Sequence, residues 1–147
     1  MSVIPSHATL VGTVRTFRPA TQDMIERRLG ELVPTIAAAF GARATLKYER
    51  VYPATINHDR EAQFAADVAE SLIGSENVVR NLDPSMGSED FSFMLQAKPG
   101  AFARLGQGGI EGGCFLHNSV YDFNDAVIPL GAGYLAALAE TAMPIAK

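Results

Sequence analysis

Residues 8–17 (ATLVGTVRTF) are crowded with β-branched side chains, and the pattern predicts a strand. The period then changes. Ile25, Leu29, Leu32, Val33, Ile36 and Phe40 recur at three- and four-residue spacing, as on one face of a helix starting near Gln22, with Thr21 as its cap and Gly41 as its stop. Pro34 lies inside this pattern, where it removes a helix donor and predicts a kink. In residues 43–52, Leu46 and Tyr48 alternate with Lys47 and Glu49, as in a strand with one wet face. The first block therefore reads β-α-β.

Pro53-Ala54-Thr55-Ile56-Asn57-His58 breaks the pattern. A second amphipathic helix follows over residues 59–73, with Phe64, Val68 and Leu72 each about a turn apart and Gly74 at its end. Residues 78–82 and 101–105 read as short strands. Between them, Ser88 can cap a short helix carrying Glu89 and Asp90 in its first turn. Pro129 suits the first turn of a last helix reaching about Met143, with Leu130, Tyr134, Leu135 and Leu138 on its covered side. The predicted class is α/β, an α+β portion followed by an α/β portion, in two bodies spanning residues 1–56 and 57–147. A parallel sheet covered on both faces needs more strands than the second block supplies, so the chain reads as an incomplete part of a larger fold.

Composition narrows the function classes. Of 147 residues, 48% are hydrophobic and 19% charged, which suits a packed chain rather than a disordered one. The net charge of −4 and the lack of a basic run argue against nucleic acid or an anionic membrane as partner. No apolar stretch approaches the roughly 20 residues of a membrane span. The first residues lack a signal-peptide pattern, and Cys114 is the single cysteine, so a cytoplasmic location is expected.

The chemistry concentrates late in the chain. His117 stands in Leu116-His117-Asn118-Ser119-Val120-Tyr121-Asp122-Phe123-Asn124-Asp125, after a glycine-rich approach from Gly106 to Gly113. A neutral imidazole is a good ligand for zinc or manganese, and neighbouring polar groups can set its tautomer. A catalytic zinc needs about three protein ligands, however, and the other two histidines are His7 and His58. Glu89 and Asp90 are either first-turn charges favoured by the helix dipole or groups bordering a metal site. Asp122 and Asp125 either hydrogen-bond the histidine or cap the final helix. Arg15 can grip a substrate carboxylate or serve a cross-strand or interface contact. Gly108 and Gly109 belong to a loop whose backbone amides can cradle an anion, although it lacks the lysine-containing signature of a nucleotide P-loop. His58 reads as a residue at the start of a helix, and Cys114 as a small buried hydrophobe.

Six segments, in order, resemble the metallopeptidase and amidohydrolase family that includes hippurate hydrolase, aminoacylase and indole-acetyl-amino-acid hydrolase. They are Val3-Ile4-Pro5, Gly12-Thr13-Val14-Arg15-Thr16-Phe17, Ala38-Ala39-Phe40-Gly41-Ala42, Tyr52-Pro53-Ala54-Thr55-Ile56-Asn57, Met86-Gly87-Ser88-Glu89-Asp90-Phe91-Ser92, and the His117 motif. The resemblance implies a C-terminal portion of a zinc-dependent exopeptidase-like fold. Residues 1–56 would be the second half of a lid or dimerisation domain, and residues 57–147 the C-terminal part of a catalytic domain. It also implies a two-metal site to which His117 gives one ligand. Glu89, Asp90, Gly108, Gly109, Asn118 and Asp122 would then lie around the metal or substrate, and Arg15 and Asn57 on the lid or its interface. Ser119 stands where the family commonly has proline.

The family's other ligands and its general-base glutamate are not recognisable in the chain. Hydrolysis of N-acyl amino acids is therefore not expected from this chain alone, nor is a bound metal. Two readings accompany this one: a non-catalytic dimerisation module, and one half of a split enzyme that needs an N-terminal catalytic partner chain. A homodimer through residues 8–17 and 22–40 is the expected assembly.

Overall fold

The structure, a computed structural model, describes residues 3–108 and 116–144. Among the described residues four α-helices are present: α1 (Pro19–Ala39), α2 (Asp59–Ile73), α3 (Phe91–Ala97) and α4 (Ile128–Ala142). Short 3-10 turns occupy Ser75–Asn77 and Asp125–Val127. The chain divides into two compact units. One comprises Met1–Ala54 with Ser85–Asp90, the other Thr55–Pro84 with Phe91–Lys147.

Among the described residues there is no strand, so the α/β expectation for residues 8–17, 43–52, 78–82 and 101–105 is not confirmed. The reason is physical. β-propensity measures how well a side chain fits a pleated, half-buried surface, and a strand exists only through its ladder to a neighbour. Residues 8–17 have no such surface: Leu10 and Val11 are each 93% exposed.

In the first unit, α1 begins at Pro19 rather than after Thr21. Arg18 is the N-cap residue and makes no side-chain cap bond, while Pro19 at the first position gives up no needed donor and has φ already set for a helix. Pro34 sits inside the helix, as expected. The end is a Schellman arrangement: Ala42 N–H donates to the Ala37 carbonyl at 2.9 Å and Gly41 N–H to the Ala38 carbonyl at 3.0 Å. Gly41 takes φ +68°, the left-handed turn that glycine adopts without penalty. The half-buried stripe of α1 includes Thr21, Ile25, Leu29, Val33 and Ala37, whereas Leu32, Ile36 and Phe40 face solvent. Its apolar arc is wider than the surface covering it. Arg50 reaches back to α1 and pairs with Asp23 at 2.7 Å and with Glu26, and these carboxylates, Glu26 foremost, raise the Arg50 pKa above its ordinary value. Exposed ion pairs of this kind contribute little stability, so the contact orients residues 43–52 more than it strengthens them.

The second unit holds the buried residues. Val68 on α2 and Leu95 on α3 are 4% and 5% exposed, and Ser92 on α3 is fully covered. The predicted bounds of α2 coincide with those observed, and Gly74 follows it. α2 packs against α4, where the Tyr134 hydroxyl donates to the Ala65 carbonyl at 2.9 Å. Burial raises the Tyr134 pKa, which favours the protonated donor form. Arg80 spans two turns of α2, donating to Glu70 and Asp67 at 2.6 Å each and holding the Glu70 carboxyl below its usual value. On α4 the half-buried positions include Leu130, Gly131, Tyr134, Ala137 and Leu138. Leu135, expected on the covered side, is 68% exposed. The covered stripe includes a glycine instead, because a larger residue at Gly131 would come within 3.3 Å of Leu105. No helix among the described residues is long and apolar enough to cross a membrane.

Candidate functional site

The segment leading toward His117 lies in the second unit and is tied down by side chains. His58 N–H donates to the Gly100 carbonyl at 3.1 Å, and Gly100 N–H donates to His58 Nδ1 at 3.2 Å. One residue earlier, Asn57 Nδ2 donates to the Phe102 carbonyl at 3.0 Å while Phe102 N–H donates to Asn57 Oδ1 at 2.7 Å. A single amide side chain thus makes the bond pair that a neighbouring strand would make. α3 closes over the same stretch, with Phe91 and Phe102 ring centres 5.7 Å apart. Replacing Asn57 with alanine leaves both Phe102 groups unpaired. Amide exchange at Phe102 should accelerate about tenfold, since two ordinary hydrogen bonds contribute about 1–3 kcal/mol together. Measuring exchange in both proteins checks this, and unchanged protection at Phe102 would show that the bonds do not hold the segment.

Further along, Gln107 anchors the approach to the histidine. Its side-chain Oε1 accepts from the Tyr121 hydroxyl at 3.1 Å and, at 3.5 Å, from the Asn124 backbone N–H. Its carbonyl accepts from Asn124 Nδ2 at 2.8 Å. Gly108 follows at φ +101°, a conformation open to glycine and strained for other residues. Gly109 and Cys114 lie outside the described residues. His117 is exposed and has φ +67°, the one positive φ at a non-glycine residue among those described. Such a conformation costs about 1–3 kcal/mol and persists where the surroundings enforce it. After it, Asn118 builds a turn: its Oδ1 accepts from Val120 N–H at 3.1 Å and its carbonyl from Tyr121 N–H at 3.0 Å.

The other candidate residues take separate places. Asn118 is committed to its own turn. Asp122 is exposed on the same loop. The cap expected of Asp125 is made by Asn124, whose Oδ1 accepts from Ala126 N–H at 3.1 Å and opens the 3-10 turn before α4. Glu89 and Asp90 precede α3 rather than occupying its first turn, because the helix begins at Phe91 and not after Ser88. They group with the first unit. There Ser88 instead receives Arg15 Nε at 3.4 Å. Asn57 belongs to the second unit. Sequence reasoning missed Gln107 and the clasp made by Tyr121 and Asn124, since no motif marks a glutamine that bonds fourteen positions ahead. Asn124 two residues before Ala126 was a readable capping signal.

Among the described residues no three His, Cys, Asp or Glu side chains converge on a point where a metal could sit. His117 is an accessible donor of the right chemistry, but these residues do not complete a metal centre. An open groove of about 530 Å³ runs along α1 in the first unit, lined by residues such as Gly30, Pro34, Leu46 and Tyr48. It contains none of the candidate ligands.

Residues 5–141 match the family described as Peptidase family M20/M25/M40. A hippurate hydrolase of Campylobacter jejuni is 36% identical over 94% of this chain and 35% of its own length. An IAA-amino acid hydrolase of Arabidopsis thaliana is 31% identical over 94% of the chain and 33% of its own length. An N-acetylcysteine deacetylase of Bacillus subtilis is 28% identical over 99% of the chain and 37% of its own length. The chain thus spans about a third of the length of these relatives. No solved structure gives a significant match. With nearly its whole length matched to the family, the chain belongs to Peptidase family M20/M25/M40.

Proposed function

We propose that this chain furnishes the part of a metal-dependent amidohydrolase, acting on N-acyl amino acids, that carries one imidazole ligand and one wall of the acyl pocket. The observation that carries this reading is His117: exposed, held in a left-handed conformation, and inside the family-matched stretch. A divalent metal, zinc or manganese, would supply Lewis acidity toward the amide carbonyl. Within this chain, His117 is the donor, Gly108 belongs to the segment assigned to the pocket, and the Asn118 turn holds the histidine's C-terminal side. Glu89, Asp90 and Asp122 are assigned to the surroundings of the metal or substrate, and Arg15 to the lid surface. The remaining ligands come from protein segments other than the described ones.

Two measurements test this. The chain alone, supplied with zinc, manganese, cobalt or nickel, is expected to show no hydrolysis of N-acyl amino acids. A chimera in which it replaces the matching portion of the Campylobacter jejuni hippurate hydrolase should hydrolyse them in a metal-dependent way. Turnover by the chain alone, or a folded and metal-loaded chimera without turnover, would overturn the proposal.

The same reading assigns residues 8–17 and α1 to pairing between two copies. Exposed Leu10 and Val11 in a β-branched segment support it, since an unpaired apolar segment of this kind is costly in water. Sedimentation equilibrium should give a dimer that the double substitution of Leu10 and Val11 by lysine dissociates. A monomer at every concentration would refute the pairing.

A further inference from the structure

His117 has a strained backbone, and such strain persists only where the surrounding structure enforces it. The Asn118 turn fixes residues 118–121 relative to one another. That turn is joined to the approach segment through Tyr121 and Asn124, and both bond to Gln107. Gln107 itself precedes the left-handed Gly108, so the stretch that follows His117 is tied back to the described residue just before that glycine.

We propose that Gln107 is the positioning residue of His117: by receiving Tyr121 and Asn124 at the base of the loop, it holds the histidine in its left-handed conformation. The inference rests on the reading of His117 as a metal ligand for its functional meaning, but not for its geometry. Gln107 contacts neither metal nor substrate in this scheme. Its part is to remove the freedom that an imidazole on a loose loop would lose on binding.

The test uses the chain itself. In solution NMR, a positive φ gives His117 a strong intraresidue NOE between its amide and Hα protons. Gln107→Leu removes the side-chain acceptor of the Tyr121 hydroxyl at nearly constant volume, leaves the bond from Asn124 Nδ2 to the residue-107 carbonyl, and should clearly weaken that strong NOE. Gln107→Glu keeps an acceptor and should retain it. Tyr121→Phe deletes a single hydrogen bond and should weaken it, which carries the test if Gln107→Leu disturbs the whole fold. A strong NOE that persists in both Gln107→Leu and Tyr121→Phe, or that disappears in Gln107→Glu, would overturn the proposal. In the chimera, Gln107→Leu should lower kcat about tenfold with KM little changed, as is typical when the support of a ligand is lost. Full activity of a His117→Ala chimera would refute the ligand reading while leaving the NOE to decide the clasp.

Discussion

In the hippurate hydrolase chimera, His117→Ala is expected to reduce metal-dependent turnover about a hundredfold or more. Changing a group that merely supports a ligand typically costs 10–100-fold in metal affinity or activity, so losing the ligand itself should cost at least the upper end of that range. A metal with one donor missing is held less tightly and polarises its bound oxygen less well. Two controls separate this from misfolding. His58→Ala removes an imidazole from the same unit, where it bonds Gly100, and should preserve much more of the turnover. Adding excess zinc should partly restore His117→Ala if affinity is the main loss. Equal effects of the two alanine substitutions, with bound zinc undiminished in His117→Ala, would remove His117 from the ligand set.

The largest stability effect is expected at Leu95. It is 5% exposed on α3, and with Val68 it forms the buried apolar core of the described residues. Truncating a buried leucine to alanine costs about 2–5 kcal/mol, from lost transfer energy and from the cavity left behind. Leu95→Ala should therefore shift urea unfolding strongly and should unfold a marginal chain outright. Leu135→Ala is the matched control: the same change on α4, at a residue 68% exposed, should stay within about 0.5 kcal/mol of the parent. Comparable shifts for the two would mean that the covered face of α4 had been assigned to the wrong side.

Helices were legible in the sequence because their signals are local. The bounds of α2, the stop at Gly41 and the opening of α4 near Pro129 all depend on residues within a turn or two of each other. Caps were harder to place. Thr21 and Ser88 have favourable chemistry, but Pro19 and Phe91 mark where the backbone turns helical. The expected strands went unconfirmed for a different reason. Residues 8–17 and 101–105 have strand-like side chains, yet a ladder depends on a distant neighbour that no local pattern encodes. At the proposed site, His117 was singled out by its motif. Gln107 was not, because its importance comes from partners brought back to it by the fold.

Asn57 has a consequence for how residues 100–102 find their place. Two paired strands can slide by an even number of residues and still match their faces, because a ladder repeats. A lone amide that receives and returns one residue's hydrogen bonds does not repeat. Phe102 is therefore addressed individually, as Gly100 is by His58. Inserting or deleting two residues between Gly100 and Gln107 would be absorbed in a ladder as slippage. Here it would break one anchor outright, so the distance along the chain from Phe102 to Gln107 acts as a fixed ruler for where the histidine loop begins.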